Sequence, residues 1–463
     1  MTADSQHNKV AIIGGGLAGL AAGCALADAG FQVSLFERRP YVGGRASSYE
    51  HPGTGEVVDN CQHVLLGCCT NLLRFYEQLG VSDKIQWYDE LTFIEPGGRA
   101  SRISPTFLPA PFHSMPSFFA ASSLALADKL AISRALSAMM RMSNAPDDPQ
   151  ENFLQWLRRH GQTERSIERF WKVVLVSALN EDLDRTSVRY ATQVFRESFM
   201  KSAAAGRMGV PRVPLSDLYN SAAEYIRRRG GEVLLRCPVS AISLDANNVK
   251  ISISGGEREF AGVVLAVPFQ SVAALLPSDA AAETLKKNLS KFEASPITGI
   301  HLWFDREITP LPHAVLLDRT IQWMFQKSKF HDRQGSYIEL VVSASKSLVE
   351  KSRQETLDLA LAELAEFFPQ AKEARLIKAA VIKEVFATYS ILPGLDRYRP
   401  SVKTEWPRLF LAGDWTATGW PATMEGAVRS GYLAAEALTE TTGNARRFVV
   451  PDLAAQGFMR WFS

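Results

Sequence analysis

A glycine-rich segment near the N-terminus has the spacing of a phosphate-binding turn. It reads G-x-G-x-x-G over 14–19, between an apolar run predicted as a strand and an alanine-rich stretch predicted as a helix over 17–29. In this setting the first glycine permits a tight turn, the second lets the backbone approach a pyrophosphate, and the third lets the helix pack closely on the strand. The pattern therefore predicts a dinucleotide site whose first contacts are Gly14, Gly16, Leu17, Ala18 and Gly19.

An acid at the end of the next predicted strand extends this site. Glu37 lies eighteen residues after Gly19 and can accept hydrogen bonds from a ribose, with Arg38 beside it. A second glycine pair, which ends at Gly44, is followed by Arg45, which we predict to lie near phosphate. The alternative for this pair is a plain turn with a solvated arginine.

The far end of the chain indicates which dinucleotide is bound. A short apolar strand is predicted to end in Gly413 and Asp414, and an aspartate there can bind ribityl hydroxyls. Met424 and Ala427 then open a helix whose N-terminus can face a second part of the cofactor. Two such approaches suit an extended flavin, so the predicted cofactor is FAD, with Val239 as a further contact.

The elements around these motifs predict an interrupted fold. With 463 residues the chain is too long for one simple core, and nucleotide-type elements occur at its start, near 232–268 and at its end. We therefore expect an α/β fold in which a Rossmann-type FAD-binding domain is interleaved with a substrate domain of mixed sheet and helices. The predicted parts are, in order, an FAD-binding part (1–100), a mainly helical substrate or cap region (101–231), a second FAD-binding part (232–270), a substrate domain (271–404), a third FAD-binding part (405–445) and a C-terminal tail (446–463).

Composition argues against several other classes of protein. A formal net charge of +2 is too balanced to favour a nucleic-acid partner. The five cysteines lack paired C-x-x-C spacing, so we expect neither a disulfide scaffold nor a metal site, and a reducing cytoplasm fits. Four prolines between positions 103 and 127 argue against a membrane-spanning helix there, and we predict none in the chain.

Several motifs together resemble the flavin amine oxidase and phytoene desaturase superfamily. They are the glycine turn, Glu37, the segment 43–48 and the segment 411–414. Within that superfamily, the segments 59–68 and 420–431 resemble the squalene-associated FAD-dependent desaturases, which act as hydroxysqualene dehydroxylases; shorter matches lie at 109–113 and 126–131. The resemblance covers nearly the whole chain. It departs at Cys61, where the family usually has glycine, and cysteine would be strained there if a positive φ were needed.

The resemblance implies a reaction, removal of the hydroxyl group of hydroxysqualene to give squalene in bacterial synthesis of hopanoids and related triterpenoids. The alcohol is allylic, so loss of water leaves a delocalised cation to which reduced FAD can deliver hydride. The protein must position the isoprenoid, protonate the leaving hydroxyl and keep out water. A separate electron donor, which no motif identifies, must reduce FAD.

Two residues of the segment 59–68 are candidates for catalysis. His63 is the first choice for an acid or an orienting group, because histidine titrates near neutrality. The alternative is a structural histidine that bonds the backbone near the flavin. Asp59 would orient His63 or, alternatively, cap the turn that follows it.

Aromatic residues predict the substrate contacts, since aromatic walls suit a polyene and a carbocation. These predicted contacts are Phe112, His113, Phe119, Trp415 and Trp420. The Pro-rich stretch 103–127 and the tail 446–463 also carry the aromatic residues, and in the tail the cations, of an interfacial anchor, although packed domain surface would have the same composition. We expect a cytoplasmic protein, peripheral to the inner face of the cytoplasmic membrane.

Three other functions fit parts of the sequence. A carotenoid or phytoene-type desaturase would use oxidised FAD to take hydride from a hydrocarbon, and an amine oxidase would share the fold and cofactor. A non-catalytic prenyl-binding escort protein would not need Glu37, Arg45 and Asp414, whose presence argues against that reading. Only the family-specific segments favour dehydroxylation over desaturation.

Overall fold

The computed structural model describes residues 8–143, 145–245, 248–330 and 336–462. Its strands, in chain order, are β1 Lys9–Ile13, β2 Gln32–Phe36, β3 Ser48–Glu50, β4 Val57–Asp59, β5 Leu65–Leu66, β6 Ile85–Tyr88, β7 Leu91–Ile94, β8 Ala100–Ile103, β9 Met208–Pro211, β10 Glu232–Leu234, β11 Ala241–Leu244, β12 Val249–Ile253, β13 Gly256–Phe260, β14 Gly262–Leu265, β15 Ala294–Phe304, β16 His313–Leu316, β17 Trp323–Gln326, β18 Ser336–Ser343, β19 Leu376–Tyr389 and β20 Leu409–Leu411. Its α-helices are α1 Leu17–Asp28, α2 Thr70–Leu79, α3 Met115–Ala120, α4 Leu126–Met140, α5 Phe153–Arg159, α6 Glu164–Ser166, α7 Lys172–Leu179, α8 Val188–Val194, α9 Leu215–Arg228, α10 Phe269–Val272, α11 Ala280–Leu289, α12 Lys327–Phe330, α13 Lys346–Val349, α14 Arg353–Phe367 and α15 Met424–Thr441.

A five-stranded parallel sheet, in the order β10-β2-β1-β14-β20, is the base of the nucleotide-binding fold. Its strands come from the start, the middle and the end of the chain, which confirms the interrupted α/β fold. β14 and the last four residues of β1 are buried, as expected for parallel strands covered on both faces. α1 is buried along almost its whole length and packs against this sheet and against α15.

A second sheet has seven strands in the order β19-β15-β18-β17-β16-β7-β8, which come from 91–103 and 294–389. The helices from α4 to α8 form a cap with an aromatic core, in which Trp156, Trp171 and Phe195 are almost fully buried. Two π-helical segments adjoin these helices: Ile167–Trp171 joins α6 to α7, and Phe195–Met200 directly follows α8.

Three regions differ from what local sequence patterns predict. The pattern over 347–368 predicts one helix, but a new helix begins after Ser352, whose hydroxyl accepts a hydrogen bond from the backbone N–H of Glu355 while the Glu355 carboxylate binds the Ser352 N–H. The region 152–229 is expected to be mostly helical, yet it also contains β9, which pairs with β5 and β6. β7 and β8 lie near the predicted boundary at position 100 but join the seven-stranded sheet, because β7 pairs with the distant β16.

Candidate active site

The glycine turn between β1 and α1 is tightly packed. Gly14 has φ +110°, and a Cβ there would lie 2.4 Å from the carbonyl oxygen of Ala266, so only glycine fits. A Cβ on Gly19, in the first turn of α1, would lie 2.0 Å from the carbonyl oxygen of Gly14. Gly14, Gly16, Leu17 and Ala18 line a cavity in front of the turn, whereas Gly19 lies behind it and lets the helix approach.

The Glu37 carboxylate is held against this turn by backbone donors. Its Oε2 atom accepts a hydrogen bond from the Gly15 N–H at 2.7 Å, and its Oε1 atom accepts one from the Arg39 N–H at 2.7 Å. Glu37 and the exposed Arg38 both line the cavity, and so does Val239 in the loop before β11. Glu37 therefore stands preoriented where a ribose beside the turn would need an acceptor.

The second glycine pair packs on the first turn. The Gly43 N–H donates to the Gly15 carbonyl at 2.8 Å, and a Cβ on Gly44, which has φ +64°, would lie 3.1 Å from the Gly16 Cα. The following Arg45 binds Asp414 Oδ1 at 2.7 Å and the Ala387 carbonyl at 2.8 Å. The glycine pair is thus part of the cavity wall and not a plain surface turn. Arg45 forms an ion pair with Asp414, the residue predicted to bind the ribityl hydroxyls.

The first turn of α15 faces the same cavity. The Thr423 hydroxyl accepts a hydrogen bond from the Gly426 N–H at 3.1 Å and so begins the helix. Met424 and Ala427 line the cavity together with Gly413 and Asp414. The N-termini of α1 and α15 therefore open onto one space, which suits a cofactor with two separate polar regions.

The cavity has a volume of about 830 Å³ and continues beyond these motifs into an apolar region. The seven-stranded sheet and the cap supply its walls there. Sequence reasoning missed these wall residues because they lie on elements far apart in the chain and show only ordinary core patterns. They are Leu91, Phe93, Val173, Val174, Ala178, Ile297, Val315 and Trp323.

His63 lies on the cavity wall, and its ring orientation is set locally. Its Nδ1 atom is 2.7 Å from the carbonyl oxygen of Cys61, so Nδ1 carries the proton and Nε2 is the acceptor in the neutral ring. Burial lowers the pKa of His63, with partial opposition from the bond to Cys61. Cys61 itself does not have a positive φ, so the backbone strain expected for that conformation is absent. Its Sγ atom lies 3.4 Å from the position that a Cβ on Gly299 would take.

Asp59 makes no hydrogen bond to His63, so the predicted direct pairing of the two residues is wrong. Its buried carboxylate accepts hydrogen bonds from the Ser48 hydroxyl at 2.6 Å, the Leu215 N–H at 3.1 Å and the Lys327 ammonium at 2.7 Å. Leu215 is the first residue of α9, so Asp59 caps a helix distant in sequence and not the turn that follows it. Asp59 is not among the residues that line the cavity.

The aromatic substrate contacts predicted in the Pro-rich stretch are also not on the cavity wall. The Phe112 ring lies 5.8 Å from that of Phe458, and the Phe119 ring lies 5.5 Å from that of Phe118. His113 is buried, and burial lowers its pKa. The Phe112 and Phe119 rings therefore pack against the C-terminal segment and against a neighbouring ring, and not against the cavity.

The two predicted tryptophans do line the cavity. The Trp415 indole N–H donates to the Val267 carbonyl at 3.0 Å, and the indole lies directly over Gly413. Trp420 lies under the Arg429 guanidinium, 5.2 Å from its ring centre. Both rings are therefore held by the protein and form fixed walls.

The buried carboxyl group of Glu339, near His63, should make the stability of the protein depend on pH. Burial, aided by the charge of Asp59 and opposed by Lys327, raises the pKa of Glu339 to about 7. The folded protein therefore binds this proton more tightly than the unfolded chain, so the group's stabilising contribution is present below the ordinary glutamate pKa and is lost as the pH rises through about 7. We expect Glu339→Gln to be more stable than the unchanged protein at pH 8, with a smaller difference at pH 5, in denaturant unfolding.

Glu283→Gln is the matched control, because the Glu283 side chain is 71% exposed. It should change the unfolding free energy little at either pH. A Glu339→Gln effect of the same size at pH 5 and pH 8 would contradict the raised pKa.

The parallel sheet, the paired helix N-termini and the preoriented Glu37 define an FAD-dependent oxidoreductase, and comparison with known proteins agrees. Residues 17–439 match the flavin containing amine oxidoreductase family, and the chain belongs to that family. It is 29% identical to a 15-cis-phytoene desaturase of Synechococcus elongatus over 457 residues, covering 93% of this chain and 95% of the relative. It is 28% identical over 477 residues to a probable zeta-carotene desaturase of the same organism, covering 93% and 98%. A putrescine oxidase bound to putrescine shares the fold, with a TM-score of 0.70, 18% identity and coverage of 92% of this chain and 98% of that one.

Proposed function

We propose that this protein converts hydroxysqualene to squalene by reductive dehydroxylation, in the supply of triterpenoid precursors. The observation that carries the proposal is the apolar extension of the cavity, which begins at the cofactor motifs and has His63 on its wall. A largely apolar cavity of this kind suits a long isoprenoid with a single polar group. The resemblance of segments 59–68 and 420–431 to hydroxysqualene dehydroxylases supports the same substrate.

The residues of the cavity fit FAD, since the turn leaves no room for a Cβ at Gly14 and since Glu37, Arg45 and Asp414 line the space beside it. Reduced FAD, when bound, supplies the hydride that replaces the hydroxyl group. The apolar wall holds the chain of the substrate and keeps water from trapping the allylic cation. His63, when protonated, gives the Nε2 proton to the leaving hydroxyl, which departs as water.

Desaturation of a polyene is the second candidate function. The similarity to phytoene and zeta-carotene desaturases over 93% of the chain favours it. That reaction would need the same cavity but oxidised FAD as hydride acceptor, and it would leave no role for a proton donor to a hydroxyl group.

The test separates the two by the direction of electron flow. The purified protein is reduced with dithionite without oxygen, hydroxysqualene is added, and flavin absorbance and hydrocarbon products are followed together. Formation of squalene with reoxidation of the flavin supports dehydroxylation. A flavin that stays reduced, together with desaturation of phytoene by the oxidised protein, would replace the proposal with the second candidate.

We further propose that the protein takes its substrate from a membrane surface. None of the helices in the described part of the chain is long and apolar enough to cross a bilayer. The Pro-rich stretch and the C-terminal segment instead meet, because the Phe458 N–H donates to the Ala110 carbonyl at 2.8 Å. Together they expose Phe107 (96% exposed) and Trp461 (77%), beside the Phe112–Phe458 ring pair.

Substitution of this aromatic surface should weaken membrane binding. We expect Phe107→Ser/Trp461→Ser to bind phosphatidylglycerol-containing vesicles at least about tenfold less tightly in sedimentation, because two rings lose interfacial burial. Ile377→Ser, at another exposed apolar side chain, is the control and should bind normally. Equal binding by both variants would show that the lipid surface lies elsewhere or that there is none.

A further inference from the structure

A fully buried cation lies behind the wall that carries His63. Lys327, which follows β17, has no exposed surface, and its Nζ atom lies 2.7 Å from Asp59 Oδ2, 2.7 Å from Gln62 Oε1 and 3.5 Å from Glu339 Oε2. A buried lysine is costly unless its charge is paired and its donors are used. Two of these three partners belong to the short segment that leads to His63.

The Asp59 end of this cluster is rigid. Burial by itself would raise the pKa of Asp59, but the Lys327 ammonium and the bonds from Ser48 and Leu215 lower it to about 2. Asp59 therefore keeps its charge at neutral pH, and Lys327 stays protonated beside it, with a raised pKa. The ion pair links the end of β4 to a residue of the substrate domain that lies 268 positions away in the chain.

The Gln62 end reaches His63 directly. Gln62 Oε1 accepts from Lys327, and Gln62 Nε2 donates to the His63 carbonyl at 3.1 Å. The amide can adopt only this orientation, because an ammonium cannot accept a hydrogen bond and a carbonyl cannot donate one. The same segment holds the His63 ring through the bond from Nδ1 to the Cys61 carbonyl. The hydrogen bonds thus run from Lys327 through Gln62 to the backbone of His63.

We propose that Lys327 is a positioning residue of the active site, which acts through Gln62 to hold His63 with Nε2 towards the cavity. The proposal rests on the role given above to His63. Lys327 does not line the cavity, so it acts on the geometry of the site and not on the substrate. A charged donor suits this task because charge-assisted hydrogen bonds are shorter and stronger than neutral ones.

Two variants test the two ends of the connection. Gln62→Met removes the hydrogen bonds of Gln62 but leaves the ion pair between Lys327 and Asp59. Asp59→Asn/Lys327→Met removes a cation and an anion together, so neither partner of the ion pair is left buried with an unpaired charge. The control is Lys378→Met, which removes a lysine that binds Glu56 at 2.7 Å in a partly exposed pair.

We expect each of the two variants to bind FAD and to lower the kcat of dehydroxylation by about 10–100-fold with little change in KM, because small misplacements of a reacting group have effects of this size. Combining them should add almost nothing to either loss, since both break the same connection. Lys378→Met should keep its activity within about twofold, because a partly exposed ion pair contributes little to stability. Additive losses, or an unchanged kcat in Gln62→Met, would overturn the proposal.

A second measurement does not depend on the reaction. The ring signals of His63 in the labelled, FAD-bound protein report its tautomer and its pKa by NMR titration. We expect the Nδ1–H form in the unchanged protein, and in Gln62→Met a mixture of tautomers with a pKa moved towards the ordinary value. Identical His63 spectra in the two proteins would overturn the positioning role, whereas absence of squalene with altered spectra would overturn only the proposed reaction.

Discussion

Replacement of His63 by glutamine is expected to lower the kcat for squalene formation by about 10²–10⁴-fold, the range that a positioned acid contributes. Glutamine keeps a polar side chain of similar reach but cannot give up a proton. FAD binding should be unchanged, because His63 makes its hydrogen bond to the Cys61 carbonyl and to none of the predicted cofactor contacts. Single-turnover reoxidation of the reduced flavin with hydroxysqualene measures the loss.

The dependence of kcat on pH tests whether His63 acts as the acid. Burial lowers the pKa of His63, so the protonated ring becomes scarcer as the pH rises through that lowered value. If His63 is the acid, kcat should fall over this range and should increase towards acid pH, and the slope should vanish in His63→Gln. His160→Gln is the matched control, since the His160 Nδ1 also lies 2.7 Å from a carbonyl, that of Trp156, but away from the cavity. Unchanged turnover in His63→Gln would make His63 a structural residue.

Gly19→Ala should largely abolish FAD binding. The added methyl group would lie 2.0 Å from the carbonyl oxygen of Gly14, which is backbone and cannot move without displacing the turn. Overpacking of this kind costs about 1–3 kcal/mol, and here the displaced atoms include those that approach the pyrophosphate. The ratio of flavin to protein absorbance after gel filtration measures the loss, and thermal unfolding of the apoprotein measures the accompanying change in stability.

Gly255→Ala is the control for this substitution. A Cβ at Gly255, in the turn between β12 and β13, would meet nothing within 4 Å. This variant should bind FAD normally and unfold at nearly the same temperature. Full flavin content in Gly19→Ala would show that the turn adjusts and that the close packing of α1 is not needed to hold the cofactor.

The cofactor half of the site could be predicted because its signals are local. The tight turn, the acid after the second strand and the glycine–aspartate strand end each need particular residue types at fixed spacing, so a few neighbouring letters identify them. Even there, the contact between Gly44 and Gly16 and the bond between Arg45 and Asp414 join segments that no local pattern relates.

The substrate half could not be predicted in this way. Both alternatives predicted for Asp59, orienting His63 or capping the next turn, placed its partner nearby in the chain. Asp59 instead binds Lys327 and caps α9, and both of these partners come from elsewhere in the chain. The aromatic residues of the Pro-rich stretch have the composition of a substrate site, but the stretch folds against the C-terminal segment and away from the cavity.

The sequence by itself determined the α/β fold and the FAD-binding motifs, because these depend on backbone conformations and strand–turn–helix units that are encoded over a few residues. The segment that contains His63 was predicted from a family resemblance and not from such a unit. Only the tertiary structure decided which apolar side chains line the cavity, and that a buried lysine stands behind His63. The physical reason is that burial, charge pairing and shared walls arise when distant strands are brought together, and residues such as Phe93 and Val315 become neighbours only in the folded sheet.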